Sequence, residues 1–441
     1  MSFDRAFHAA ATYASPPDLV RFCHHIDPDW IEQALQATGT ATVRRRRLPS
    51  EQVIWVVLGM ALFRDRPLED VVSKLDLALP GAGTIAKSSV SQARARVGSE
   101  PLRWLFKRTG STWAHRSADA HRWRGLSLYG MDGSSVRVPD TQENRETFGS
   151  HYGRGTVSSY PLARIVVLMA LRSHLLAAAD LGGYEDFSEL HYARPLLDSI
   201  PESSLTILDR GYYGAPLLLQ LESGRGRHWL TRGKKNLKLK LIEKLGPGDD
   251  IVEMTVSPDV RKEDPSLPLT WQARRILYQI PGSSEQFLLT SLRDPKCFPA
   301  DEIVKLYHER WELELGYDEI KNELLDREEA IRSNKPDGVR QELWGLLIAY
   351  NLVRLEMEAL ANQEKLAPTR ISFIESLRLM RSEWDWLSFT SPGAIPKRLA
   401  KLRENVKRYI LPPRRKRSYP RVVKLQASKF PKKHPPAELL K

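Results

Sequence analysis

Apolar residues in the first 120 positions recur every three to four places, which is the period of a helix. Residues 16–35, PPDLVRFCHHIDPDWIEQAL, show this spacing, with Pro28 expected to break it. Residues 50–65 (SEQVIWVVLGMALFRD) are apolar on nearly every face and predict a buried helix with Ser50 as N-cap. LEDVVSKLDLAL follows Pro67, a turn is expected at Pro80–Gly83, and SSVSQARARVG predicts a short helix stopped by Gly98. From Gly125 the period changes to two. LSLYGMDGSSVRV, LARIVVLMALR, LLAAADLG, LTILDRGYYG and RHWLTRG (227–233) predict strands between Gly-, Ser- and Pro-containing segments. DIVEMTVS, LTWQARRILYQI, a Pro-Gly turn at 281–282 and QFLLTSL keep the β pattern up to Leu292. Helical spacing returns at Pro299 and runs to about Arg378, through GVRQELWGLLIAYNLVRLEMEALA.

The order of helices, strands, more strands and helices predicts an α/β protein with a segment spliced into it. The expected divisions are a helical N-terminal domain at 1–120, a first core part at 121–233, a β-rich insertion at 234–292, a second core part at 293–395 and a basic tail at 396–441. No internal repeat is evident.

Charge sharpens this division. The chain has 67 Lys and Arg against 54 Asp and Glu, a net of +13, and the excess sits at the end. Between Lys397 and Lys441, 16 bases face 2 acids, so the preceding 396 residues carry 51 bases against 52 acids. A near-neutral body with a cationic, proline-rich tail suits a polyanionic partner, while the same tail also reads as a solubilising terminus too poor in apolar residues to fold alone.

Two cysteines, Cys23 and Cys297, cannot form a disulfide framework, which fits a reducing compartment. The N-terminal stretch has an early Asp4 and no apolar core, so no signal peptide is expected. The longest apolar runs fall far short of the roughly 20 residues needed to span a bilayer, and no membrane role is expected. There is no GxxxxGK[ST] phosphate loop, no zinc-ligand spacing around Cys23-His24-His25 and no credible serine triad.

Within DEIVKLYHERWELELGYDEIKNELL, advancing about 100° per residue from Tyr307 places Arg310 at about 300°, Glu314 at about 340° and Lys321 at about 320°. Glu314 is thus flanked along one face by a phenol, a guanidinium and an ammonium, whereas Glu309 and Glu312 lie elsewhere. A solvent-exposed charged helix with i,i+4 pairs has the same pattern. Asp132 follows the apolar run LSLYGM and Asp209 follows LTIL, each read as an acid at a strand end, although Asp-Gly and Asp-Arg-Gly are also common turn formers. Two such aspartates and a helix-borne glutamate supply the oxygen ligands that Mg²⁺ or Mn²⁺ prefers. Three carboxylates can hold two ions about 3.5–4 Å apart, the arrangement that activates and stabilises both oxygens of a phosphoryl transfer.

Tyr307-x2-Arg310-x3-Glu314-x6-Lys321 resembles the Tyr-Arg-Glu-Lys signature of the insertion-element-four family of bacterial DDE transposases. MDGSS around Asp132 and LDRGYYG around Asp209 are similar to that family's two aspartate segments. Further similar stretches are PLARIVVLMAL, IRSNKPDGVRQELWGLLIAYNLVR, the N-terminal FRDRPLEDVVSKLDLAL and SSVSQARARVG, and the terminal RSYPRVVK. The resemblance implies an RNase H-like core interrupted by a β insertion, with Asp132, Asp209 and Glu314 binding two divalent ions, Mg²⁺ or Mn²⁺. It implies that Tyr307, Arg310 and Lys321 contact phosphates, and it suggests an aromatic side chain that stacks a flipped base, with Trp229 and Trp271 as candidates and core packing as the other reading of both. Arg210 beside Asp209, and Arg94 and Arg96 on a helix-turn-helix-like unit, are expected to touch DNA. The implied activity is cut-and-paste transposition on double-stranded DNA (terminal inverted repeats and target) by a homodimer acting in the bacterial cytoplasm on the nucleoid. Two other functions share these features: a non-catalytic DNA-binding relative, and an RNase H-like nuclease without strand transfer.

Overall fold

A computed structural model describes residues 25–41, 48–75, 85–150, 152–153, 156–157, 160–185, 188–279, 284–325, 331–387, 397, 401, 404–405 and 407–412. The turns expected at Pro80–Gly83 and 281–282, Cys23, and the tail beyond Pro412 lie outside these residues. Helix α1 (Pro28–Ala37) is opened by Pro28 rather than broken by it. Proline is suited to a first helical position, where its missing N–H costs nothing, and Asp27 caps the helix by accepting from the Asp29 N–H at 3.0 Å. Helix α2 (Ser50–Leu62) is buried nearly all round, as its composition predicted, but Pro49 stands at its N-cap and no side chain caps it. Helix α3 (Leu68–Lys74) and α4 (Lys87–Val97) follow, and α4 stops at Gly98 with φ 70.

The long helix α5 (Glu100–Ala120) closes the expected N-terminal domain in sequence but covers the sheet in space. Gly110 permits that approach: a Cβ there would stand 2.9 Å from the carbonyl oxygens of Leu176 and Ala177.

The sheet is β1 (Ser127–Arg137), β2 (Leu162–Ala170), β3 (Leu176–Gly183), β4 (Ser204–Leu208), β5 (Arg227–Arg232), β6 (Lys240–Gly246), β7 (Asp249–Thr255), β8 (Thr270–Tyr278) and β9 (Gln286–Thr290). The strand order is β3-β2-β1-β4-β5-β9-β8-β7-β6. β1 pairs antiparallel with β2 and parallel with β4, which is itself parallel to β5. This mixed five-strand unit, with helices around it, is the RNase H-like core that the resemblance implied.

The β insertion does not stand apart. β9 pairs antiparallel with β5, and β8, β7 and β6 continue the same sheet. The spliced segment thereby covers the edge that β5 would otherwise leave unpaired.

The C-terminal helical part begins with α6 (Ala300–Tyr307), a 3₁₀ turn at His308–Arg310, α7 (Trp311–Asp318) and a π-helical stretch at Glu319–Leu324. Helix α8 (Pro336–Gln363), largely buried, packs on α2 and α5 and joins the N-terminal helices to the core. Helix α9 (Phe373–Leu387) follows. The start of the basic tail is tied back to the body: the Leu411 N–H donates to the Arg370 carbonyl and Arg370 Nε donates to the Leu411 carbonyl, each at 2.7 Å. No helix among the described residues is long and apolar enough to cross a membrane.

Candidate active site

Parallel pairing sets the first two acids side by side. In the β1–β4 ladder Met131 is opposite Leu208, and the next residue on each strand is an aspartate, Asp132 and Asp209. Asp209 ends its strand, as expected, and its carboxylate takes the Arg210 backbone N–H at the start of a short 3₁₀ turn. The turn-forming reading of Asp209 is therefore also fulfilled. Asp132 differs from expectation. Only its pairing with β4 ends there, and β1 runs on to Arg137 against β2, with Asp132 opposite Val167. The Ser134-Ser135-Val136 stretch extends the strand past the acid, whose carboxylate accepts from the Gly133 N–H at 2.8 Å.

The motif helix lies across β1 in a regular interlock. Gly130, Asp132 and Ser134 alternate along the strand, while Leu313, Tyr317 and Lys321 recur every four residues on the helix. A Cβ on Gly130 would stand 2.7 Å from Leu313 Cδ1. The Tyr317 hydroxyl donates to the Asp132 carbonyl at 2.7 Å and lies 3.3 Å from the Ile165 carbonyl. Lys321 Nζ donates to Ser134 Oγ at 3.2 Å.

Glu314, one turn before Tyr317 on the same helix, is bound by Arg310, whose Nη2 is 2.8 Å from its Oε1. Arg310 is the group shared by the acids. Its charge acts on Asp132, and the charges of Glu314 and Asp209 act on Arg310. Among the described residues, no group of three or more His, Cys, Asp or Glu side chains is gathered to hold a metal ion. Asp132 and Asp209 thus lie together, with Glu314 turned onto Arg310 beside them.

Burial, then the nearby Glu189 and Asp209 carboxylates, push the Asp132 carboxyl up to about 6, against the Gly133 hydrogen bond and Arg310. Tyr307 is buried and its phenol is pushed up to about 12, mainly by burial, so it remains a neutral donor at pH 7. Arg210 is exposed beside Asp209.

Several expected contacts are placed elsewhere. Arg94 is turned inward, its guanidinium bonded to Gln341 at 2.8 Å, Ser333 at 2.9 Å and Glu342 at 3.4 Å. It braces α4 against α8 and is not presented to solvent for DNA. The following α4 arginine, Arg96, is exposed and donates to the Leu48 carbonyl at 3.1 Å. Trp229 and Trp271 are both buried, with ring centroids 5.7 Å apart, so the core reading holds for them.

Three nearby residues were not singled out from sequence. Tyr317 carried a signal, since it falls one turn from Glu314 inside the motif. Tyr212 lies within the quoted LDRGYYG segment. Glu189, in the polar stretch EDFSELH, carried none.

Residues 16–107 match the family profile described as the insertion element 4 transposase N-terminal region, and residues 123–352 match the transposase DDE domain. The chain is 40% identical over 410 residues to transposase InsG for insertion sequence element IS4 of Escherichia coli strain K12, covering 92% of each. It is also 40% identical over 233 residues to the putative transposase InsZ of the same strain, covering 52% of this chain and 76% of that one. A solved piggyBac transposase synaptic complex with hairpin DNA superposes at TM-score 0.45 with 13% identity, covering 92% of this chain and 87% of its own. The long match to InsG, together with a DDE domain that spans more than half of the sequence, makes this chain a member of the insertion element 4 family of DDE transposases.

Proposed function

We propose that Asp132, Asp209 and Glu314 hold two divalent ions, Mg²⁺ or Mn²⁺, and that the chain cuts DNA at the terminal inverted repeats and joins the freed ends to target DNA. The observation that supports this most directly is register. Asp132 and Asp209 are the matched next residues of two neighbouring parallel strands, with Arg310 acting on both Asp132 and Asp209 while it binds Glu314. The donor set fits hard divalent ions, because all three groups are carboxylates. Among the described residues neither Asp132 nor Asp209 is bonded to a cationic side chain, and burial with neighbouring carboxylates disfavours the charge on Asp132, which a divalent cation would offset.

When bound, such ions supply activation of the attacking oxygen and neutralisation of charge at phosphorus. The protein's own groups do the rest. Arg310 and Lys321 present a guanidinium and an ammonium to the phosphodiester. A phosphate competes with Glu314 for Arg310, and in drawing the guanidinium away it releases the Glu314 carboxylate toward the two aspartates. Tyr307 and Arg210 add donors beside Asp209. In the first step the oxygen of water bonds to phosphorus, the bond from phosphorus to the transposon's 3′ oxygen breaks, and that oxygen leaves as a hydroxyl. In the second, the same hydroxyl bonds to a target phosphorus and displaces the target's 3′ oxygen.

Two ends must be joined and each chain carries one set of acids, so a homodimer holding paired ends is the reading for the assembly, at work on the nucleoid in the cytoplasm. The test is Asp132→Ala on end-bearing DNA. Gel shifts should stay near those of the wild type while Mg²⁺-dependent nicking and strand-transfer products vanish. Substantial nicking by the variant refutes the assignment.

A further inference from the structure

The Glu189 side chain lies directly over the residue that follows Asp132. A Cβ added to Gly133 would stand 2.7 Å from Glu189 Cδ and 3.1 Å from Oε1. Glu189 opens the short helix Glu189–Ala193, which packs on β1 and β2. Its carboxylate has no hydrogen bond or salt bridge to any side chain among the described residues, and of the neighbouring charges it acts most strongly on Asp132. Unpaired carboxylates repel when close together, and folding tolerates such an arrangement chiefly where something of opposite charge comes to it.

A second observation points into the same place. Tyr212 is 2% exposed, and its hydroxyl is sealed from solvent with no hydrogen-bond partner. The charges acting on it are, in order, Glu189, Asp132 and Asp209, with Arg164 opposing. A buried phenol hydroxyl without a partner is rare enough to call for a bound water or ion beside it. The three carboxylates whose charges reach it come from three separate segments of the chain.

We propose that Glu189 is a fourth carboxylate of the divalent-cation site, giving an oxygen ligand to the ion held by Asp132, with the Tyr212 hydroxyl hydrogen-bonded to that ion's ligand shell. This rests on the reading of Asp132 and Asp209 as metal ligands. Glu189 approaches from a helix that the Tyr-Arg-Glu-Lys signature does not include. With Glu314 held by Arg310, Glu189 is the further hard oxygen donor that a first cation would draw in beside Asp132 before DNA arrives.

The experiment is Mn²⁺ binding to the full-length, DNA-free protein, followed by electron paramagnetic resonance of free Mn²⁺. Glu189→Gln, nearly isosteric, should weaken binding by about ten- to a hundredfold, the range seen when a supporting group of a metal site is lost. Asp132→Asn and Asp209→Asn serve as controls. If both controls abolish binding while a folded Glu189→Gln binds as the wild type does, Glu189 is not a ligand and only this inference falls. If the controls bind as the wild type does, the underlying reading of the aspartates falls instead. A measurement on the unaltered protein guards against a variant that fails to fold. Fe²⁺ with ascorbate and peroxide should cut the backbone near residues 132, 209 and 189, and cuts at the first two without the third overturn the proposal.

Discussion

Removing Arg354 should destabilise the protein by about 3 kcal/mol through a group that DNA never touches. Arg354 lies on α8 with its side chain 1% exposed, and its guanidinium bonds both oxygens of Glu319, the first residue of the π-helical stretch that carries Lys321. Glu319 also receives the Tyr350 hydroxyl at 2.8 Å and lies 3.4 Å from His174 Nδ1, while His174 Nε2 reaches Glu312 at 2.7 Å. Burial alone would raise the Glu319 carboxyl, but Arg354 and His174 outweigh it and hold the group at about 2 against an ordinary 4.5. At about 1.4 kcal/mol per pH unit that gap corresponds to roughly 3 kcal/mol, similar to the ~3–5 kcal/mol lost when one partner of a buried ion pair is removed. The sign follows from the depressed value. The stabilisation is fully present above about pH 4.5 and is lost as pH falls toward 2. Arg354→Met should therefore lower the urea midpoint clearly at pH 7, and its deficit against wild type should narrow below pH 4.5. Adding Glu319→Gln removes the stranded charge and should recover most of the loss. An Arg354→Met deficit below about 1 kcal/mol, or a double variant as unstable as the single, refutes the reasoning.

Two further outcomes test the site's surroundings. Arg94→Met should cost toward the lower end of roughly 3–5 kcal/mol, because Arg64 still holds Glu342 at 3.1 Å, and should leave DNA affinity of the folded protein unchanged. A tenfold loss of affinity in gel shifts without a change in urea midpoint would return Arg94 to the DNA interface. Sedimentation on DNA bearing paired ends should give a species with two protein chains, and only monomers there would contradict the dimer.

Most elements were legible because their periods were clean. The run from 126 to 138 forms a strand as its period of two predicts, and α2, apolar on nearly every face, is buried nearly all round. The motif helix was legible as a single uniform helix, which it is not. Its 3₁₀ turn at His308–Arg310 winds more tightly than an α-helix and its π stretch at Glu319–Leu324 more loosely. The two departures are opposite in sign, so they partly cancel. Arg310 still meets Glu314, and Lys321 still meets Ser134 on β1. What stayed hidden depends on partners far along the chain. Nothing near Arg94 signals that Gln341 and Glu342 will enclose it, because those residues lie on a helix about 245 positions later. Likewise nothing in EDFSELH signals that Glu189 will overlie Gly133. The insertion could be recognised as β structure from its alternation, yet its union with the core sheet rests on the pairing of Leu288 with Arg232, which alternation does not encode.

The interlock between β1 and the motif helix explains why two chemically different requirements coincide in one stretch of sequence. A carboxylate on a helix can be aimed at a strand only if the helix axis is fixed in height and in rotation. Height is set at Gly130, where Leu313 packs so close that a Cβ would stand 2.7 Å from its Cδ1 and the leucine would have to give way. Rotation is set by Tyr317, a buried residue whose hydroxyl donates, among the described residues, to carbonyls of β1 and β2. With those two points pinned, the helix backbone at Glu314 and Lys321 has little freedom left, since each is within one turn of a pinned residue, and only their side chains can swing. The acid is then positioned by packing that costs the reaction nothing, and the adjustable element is the Arg310–Glu314 pair, which is partly exposed and open to competition from a phosphate. The rigid part of the site is therefore buried packing and the movable part is charged, and on the proposed function DNA binding itself would complete the arrangement of carboxylates.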